Sequence, residues 1–402
     1  MQNEYDLIIA GAGLAGNCLA LALKNSGLQI AIVETCSREE LRNSPIGDRA
    51  LALAAGTVQL LEMLGVWSNI ASKATAIKQI HISERGHFGK TRLSATEQGV
   101  EALGYVIQAR DIEEHVADLV AQTHACQYYG ARVAGLISGQ DAINVSLKQH
   151  GKSLNLSAQL LVGADGGQST IRRLLEIPQK ITDYGQTAIV ANIKTALPHQ
   201  NTAFERFTPF GPLAILPGYG KNSSLVWTRN HEQAEALINC GETEFLAELQ
   251  SCFGYRLGAL QLVSPVRAFP LSLIRAESMI SDRCVIIGNA VHQLHPVAGQ
   301  GFNLGIRDVA HLAEILIEQS KTHQDIGDSK LLNAYVKKRK SDHDKVIGFT
   351  DNVVRIFSND FIALSAIRNT GLILLDHLPA AKRLLIKHAM GFAQILPKLG
   401  SN

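Results

Sequence analysis

Three groups of residues in this chain have types and spacing that chemistry can use. The first is Gly11, Gly13 and Gly16, spaced G-x-G-x-x-G, followed by Glu34. Gly11 allows a tight turn, Gly13 lets the backbone approach a pyrophosphate, and Gly16 lets a helix pack closely on a strand. The N-terminus of that helix offers free N–H groups to phosphate, and Glu34 stands where an acid accepts hydrogen bonds from an adenosine ribose. The second group is Asp165-Gly166 with Ser169 and Arg172. An acid ending a buried strand, a glycine and a capping serine can fix a loop near the pyrophosphate, with Arg172 tying it down. Alone, the same residues make an ordinary strand-to-helix cap.

The third group is Gly288-Asn289-Ala290, His292, His295-Pro296, Gly299, Gly301, Asn303 and Asp308. Gly299 and Gly301 precede a helical stretch and let backbone N–H groups approach a planar ring. A helix N-terminus there stabilises negative charge on the N1–C2=O edge of a reduced flavin. His292 and His295 suggest metal ligation as a rival, but no third ligand is suggested nearby, so no metal is expected.

These groups need elements to hold them. Leu7 to Ala10 reads as a buried strand, about Ala15 to Ser26 as a helix stopped by Gly27, and Gln29 to Val33 as a second buried strand. Asp48-Arg49 leads into a helix around Val58 to Leu64, and Arg49 reaches either a phosphate or flavin side chain, or Asp48. Ala76 to Ser94 reads as a hairpin. Gln108 and Arg110 either touch a cofactor or are polar edge residues, and Asp111 with Glu114 forms a capping box for a helix running to about Gln122. Cys126 to Ser157 reads as a three-stranded antiparallel meander feeding the strand before Asp165. From Thr187 to about Ile274 short β-like runs are punctuated by Pro209, Pro212 and Pro217, with a helix around Thr243 to Phe253. This block has no nucleotide motif and takes the substrate role, with Phe204, Phe207, Phe210 and Trp227 either lining a pocket or filling a core. Helices are expected to about Ser320 and from Leu331 to Phe357, with an apolar, basic-flecked stretch from Phe361 to Leu396.

Composition narrows the classes. At 402 residues the chain exceeds one compact core and suggests two domains. A net charge of +2 gives no reason to expect a nucleic-acid partner, and the Lys337–Lys340 run alternates with Asp342 and Asp344 as a solvated helix face would. The cysteines are scattered without C-x-x-C, as expected of reduced thiols in a cytoplasmic protein. No stretch reads as a membrane span, and Glu4 and Asp6 stand where a signal peptide carries lysines.

Together the three motifs resemble the aromatic-ring hydroxylases, the single-component FAD-dependent monooxygenases typified by p-hydroxybenzoate hydroxylase. One departure is Asn289, where that family usually has an aspartate on the flavin ribitol; Asn can still hydrogen-bond a hydroxyl. A closer resemblance is to the ubiquinone-biosynthesis hydroxylases, within them to those acting on 2-octaprenyl-6-methoxyphenol. It is carried by Asp48–Thr57, Ala203–Pro217, Gly288–Ala290 with His295–Gly305, and Tyr335–Asp351.

The resemblance implies an α/β fold: a p-hydroxybenzoate-hydroxylase-like FAD-binding Rossmann domain (1–75, 101–182, 273–330), an inserted β-sheet substrate domain (76–100, 183–272) and a helical C-terminal region (331–402). It implies FAD as cofactor, NAD(P)H as transient reductant, and hydroxylation of a prenylated phenol by molecular oxygen through a flavin C4a-hydroperoxide. Pro296 and the following glycines would lie over the flavin face, and Gly288, Asn289 and Asn303 would contact the cofactor. His292, His295, Glu205 and Tyr219 are open as the group that deprotonates the phenol, with His292 more readily a hydrogen bonder that locks the loop. An oily substrate fits peripheral contact with the inner membrane and a complex with other ubiquinone-biosynthesis proteins.

Overall fold

The structure is a computed structural model and describes residues 4–87 and 89–357, with five positions beyond them (378, 382, 387, 390 and 391). The expectation for Phe361 to Leu396 therefore lies outside the described residues, apart from those positions.

The first sheet is mostly parallel at its centre, running Cys284–Ile286, Lys152–Gly163, Glu4–Ala10, Ile30–Glu34 and Cys126–Tyr129. Its strands are apolar runs, as strands covered on both faces must be: Leu7, Ile8, Ile9, Leu160, Leu161 and Val162 are all completely buried. Glu4–Ala10 pairs in parallel with Lys152–Gly163 (Leu7 opposite Leu160) and with Ile30–Glu34 (Ile8 opposite Ala31). Parallel neighbours need crossovers, and the helix Leu14–Ala22 supplies the first. The expected meander is present as Ala131–Ser138, Ile143–Gln149 and Lys152–Gly163, while Cys126–Tyr129 joins Ile30–Glu34 in parallel instead.

The second sheet has nine strands and receives the hairpin Gln79–Glu84 and Lys90–Ser94 through parallel pairing of Gln79–Glu84 with Thr202–Thr208. Side chains alternate between its faces. One face, with Ile189, Leu213, Ile215, Leu225 and Trp227, packs on Phe245, Leu249 and Phe253 of the helix Glu242–Phe253. The other face, with Ala188, Val190, Ala203, Glu205, Phe207, Ala214 and Val226, borders a cavity. The same alternation sorts the four aromatic candidates. Phe207 lines the cavity, Phe204 and Trp227 belong to the helix-side core, and Phe210 packs beneath the Arg229 guanidinium.

A small third sheet joins Ala50–Ala54, Gly104–Gln108 and Thr75–Ile77. The helix after it begins at Ala109 with Gln108 as N-cap, so the expected capping box at Asp111 and Glu114 does not form: both residues are already inside the helix. The helices Gln300–Lys321 and Ser329–Phe357 complete the described architecture.

Candidate active site

A cavity of about 1190 Å³ runs between the carboxyl ends of the first sheet's parallel strands and the open face of the second sheet. The end of an open parallel sheet is where such folds bind ligands. The wall is mainly apolar and carries Gly11, Gly13, Glu34, Arg49, Asp165, Gly166, Gly288, Asn289, His295, Pro296, Gly299, Gly301 and Asn303. The three sequence groups, with Gly11 and Asn303 separated by 292 positions, thus share one chamber.

The glycines divide by what a side chain would meet. At Gly11, with φ +109°, a Cβ would lie 2.5 Å from the Ala164 carbonyl oxygen, and at Gly16 it would lie 1.9 Å from that of Gly11. Those two glycines permit backbone-to-backbone packing. Around Gly13 and Gly301 a Cβ would meet nothing within 4 Å. Both line the chamber, so what they leave free is ligand space.

Glu34 accepts hydrogen bonds from the backbone N–H of Ala12 (2.8 Å) and of Cys36 (2.9 Å), which hold its carboxylate against the glycine turn. Asp165 accepts from Ser169 Oγ at 2.5 Å and from the Ile171 N–H at 3.0 Å. Arg172 donates to the carbonyls of Ala290 and Gly167, both at 2.7 Å, and so ties the second motif to the third. Asn303 spends its whole amide on protein. Its Oδ1 accepts from the Ala54 N–H and Thr57 Oγ1, and its Nδ2 donates to the carbonyls of Ala52 and Gly299. An amide has two donors and two good acceptor sites, so Asn303 staples the loop to the third sheet with nothing spare for a ligand.

Arg49 lines the chamber and makes no ion pair among the described residues. Burial against the wall lowers its pKa, with Glu113 pulling the other way. Its sequence neighbour Asp48 is engaged elsewhere, by Arg110 at 2.6 Å and Arg267 at 3.4 Å. Arg110 also donates to the carbonyls of Arg42 and Ser44, clamping the 42–48 loop. Neither Arg110 nor Gln108 lines the chamber, although Gln108 Oε1 is buried without a hydrogen-bond partner.

The histidines separate. His292 is fully buried outside the chamber, with Nε2 3.3 Å from Asp308 Oδ2. Asp308 also receives Arg339 Nε (2.7 Å), His343 Nε2 (2.6 Å) and the Gly288 N–H (3.1 Å). Burial pushes the Asp308 carboxyl up, but His343 and Arg339 outweigh it and hold the carboxyl well below the usual carboxylate range. His292, Asp308 and His343 converge as three ligand-type groups, a juxtaposition the sequence did not suggest. The fourth member is a guanidinium on the same carboxylate, so the cluster's positive charge is supplied by protein. His295 does line the chamber. Its Nδ1 accepts from the Val297 N–H, its ring stands edge-on to Tyr184, and burial lowers its pKa to about 4. Burial lowers the His292 pKa as well, with Asp308 pulling the other way. Tyr219, 87% exposed, lies away from the chamber.

A model of the FAD-binding domain family matches residues 4–350. The chain belongs to that family. It is similar to ubiquinone hydroxylase UbiL of Rhodospirillum rubrum, 33% identical over 399 residues that cover 98% of this chain and 91% of the relative. It is also similar to 3-demethoxyubiquinol 3-hydroxylase of Escherichia coli, 28% identical over 397 residues that cover 97% of this chain and all of the relative. Among solved structures, p-nitrophenol 4-monooxygenase PnpA from Pseudomonas putida shares the fold, with a TM-score of 0.81, 16% identity and coverage of 98% and 100%. The chain is an FAD-dependent monooxygenase with a p-hydroxybenzoate-hydroxylase-like α/β fold.

The chamber fits FAD on its own chemistry. Open space over Gly13 and Gly301, an Arg49 guanidinium with no ion pair among the described residues and the fixed Glu34 carboxylate suit a pyrophosphate, a planar ring and a ribose. Gly13→Val is therefore expected to weaken FAD retention at least tenfold, about 1.4 kcal/mol, while leaving apoprotein stability nearly unchanged. Flavin absorbance of the purified variant and urea denaturation of its apo form check this; equal losses in both would assign Gly13 to packing.

Proposed function

We propose that this chain hydroxylates a polyprenylated phenol in ubiquinone biosynthesis, in a reaction of the type 2-octaprenyl-6-methoxyphenol to 2-octaprenyl-6-methoxy-1,4-benzoquinol. The observation that carries this reading is the continuity of the chamber: a nucleotide end rich in glycine opens onto a sheet face of small apolar side chains. Ala188, Ala203, Ala214 and Val226 thin that wall and leave width for an oily aromatic with a chain. The names of the similar UbiL and the Escherichia coli hydroxylase support the pathway. The alternatives within this reading are hydroxylation at C5 or C6 of the ring.

Bound FAD, reduced by NAD(P)H, supplies the activation of molecular oxygen. The chain's part is to place the ring and keep water out. The loop His295–Pro296–Val297 lines the chamber. Phe207, Val297 and Val354 pack as an apolar plug, with Ile82 and Tyr184 against it. Arg172 and Asp308 hold the Gly288–Ala290 turn that precedes that loop. In this reading residues 1–75, 101–182 and 273–330 form the FAD-binding part, 76–100 and 183–272 the substrate part, and a C-terminal region begins at 331, helical over the described Ser329–Phe357. No described helix is long and apolar enough to cross a membrane. The proposal places the enzyme in the cytoplasm at the periphery of the inner membrane, in contact with other proteins of the pathway.

The test is turnover of a prenylated phenol under labelled oxygen gas. One labelled atom in the ring product is expected, and its position assigns C1, C5 or C6. Substrate oxidation with label only in peroxide would make the chain an oxidase and end this reading.

A further inference from the structure

We propose that Glu205 is the catalytic base of the hydroxylation, taking the proton of the substrate's phenolic hydroxyl; this rests on the phenol reading above. Glu205 lies mid-strand in Thr202–Thr208, on the face that borders the chamber. Its cross-strand neighbours are Ala214 and Ile82, and Ala203 and Phe207 flank it on the same face. None of them carries a polar side chain. Among the described residues its half-buried carboxylate accepts no hydrogen bond and joins no ion pair, whereas the buried Asp308 and Asp342 are paired. An unpaired carboxylate in an apolar wall costs stability and gives the fold nothing back. Its missing partner is a ligand hydroxyl.

The surroundings leave burial as the sole influence on its charge. The other ionisable groups of the wall are Glu34, Arg49, Glu113, Arg132 and Asp165 near the nucleotide end, with His295 and Lys345 elsewhere. Burial alone raises the Glu205 pKa to about 7. A base poised there holds a useful carboxylate fraction at neutral pH and is stronger than an ordinary glutamate. His295, pushed to about 4, is a much weaker base.

In the step, the phenol O–H bond breaks and the carboxyl O–H bond forms. The electron pair stays on the phenol oxygen and enriches the ring positions ortho and para to it. The ring then takes one oxygen atom from dioxygen, with FAD and NAD(P)H supplying the two electrons and the second atom leaving as water. Loss of the ring proton restores aromaticity, and Glu205 returns its proton to the product oxygen or to solvent.

Glu205→Gln keeps the shape and removes the base. With the FAD-loaded enzyme and labelled oxygen, turnover is expected to fall about 10²–10⁴-fold with FAD content unchanged. The wild-type kcat/KM should rise with pH through about 7, and the variant should lose that limb. A phenol acidic enough to be ionised at the assay pH should restore most of the variant's turnover, which a purely structural role would not allow. If wild type labels the ring while Glu205→Gln keeps turnover within threefold and the same pH limb, the assignment is overturned and the hydroxylase reading stands. If wild type labels no phenol at all, both fall together.

Discussion

Asp308→Asn is expected to lower the free energy of unfolding by about 3–5 kcal/mol and to give protein that no longer retains FAD. The carboxylate is completely buried and holds Arg339, His343, His292 and the Gly288 N–H at once. Neutralising it leaves the Arg339 guanidinium in the interior with only Asp342 (2.7 Å) against it, while Asp342 is already shared with Arg307 at 2.8 Å. Breaking one member of a buried ion cluster costs more than the cluster was worth, because the remaining charge has no water to turn to. The damage reaches the flavin because the Gly288 N–H hangs on the same carboxylate and Gly288 lines the chamber. The pH sign follows from the depressed folded pKa. The contribution of Asp308 is complete above its unfolded value near 3.8 and is lost only as pH falls through the lower folded value. Denaturant unfolding at pH 7 and flavin absorbance measure the two halves. A variant within 1 kcal/mol of wild type would show that the cluster does not bear on stability.

Glu205→Gln is expected to do the reverse and stabilise the apoprotein at pH 8, by about 2 kcal/mol. Its pKa rises from 4.5 to about 7 on folding. At 1.36 kcal/mol per unit that is about 3 kcal/mol, reduced because the carboxylate borders a chamber open to solvent screening. A raised folded pKa gives stability that is fully present below about 4.5 and is lost as pH rises through about 7. The gap between variant and wild type should therefore be near zero at pH 4.5 and full above pH 7. Urea denaturation at pH 5 and pH 8 reads it directly. A gap of equal size at both would mean that charge burial is not its source. Gain of stability on losing a working group is what a strained functional residue predicts.

The glycine turn, Glu34 and the Asp165–Arg172 cap were legible because each is local: a strand, a few residues and a helix start carry the whole signal. The pocket sheet was half legible. Its strands showed as β-like runs, but which aromatics face the chamber depends on register, since a one-residue slip exchanges the faces. Phe207 and Trp227 could not be told apart until Phe207 was seen opposite Pro212, and Leu213 opposite Trp227. Asn303 read as a flavin contact because its partners, Ala52, Ala54 and Thr57, lie about 250 residues upstream. Arg110 was ambiguous for the same reason, its clamp closing on Arg42, Ser44 and Asp48. His292 shares its helix-borne partner Asp308 with Arg339 and His343, groups that no spacing rule connects.

The pairing of Glu4–Ala10 with Lys152–Gly163 carries a consequence for biogenesis. The first strand leaves the ribosome with only Ile30–Glu34 to bind on one side. Its other edge waits for a partner about 150 residues later in translation, and the Asp308–Arg339 lock arrives later still. Contacts of such long range are slow to form and leave apolar strand edges open meanwhile. The edge that Lys152–Gly163 will cover is therefore open while the intervening residues are made, and the flavin chamber, walled by residues from Gly11 to Asn303, can close only after the last of them has emerged.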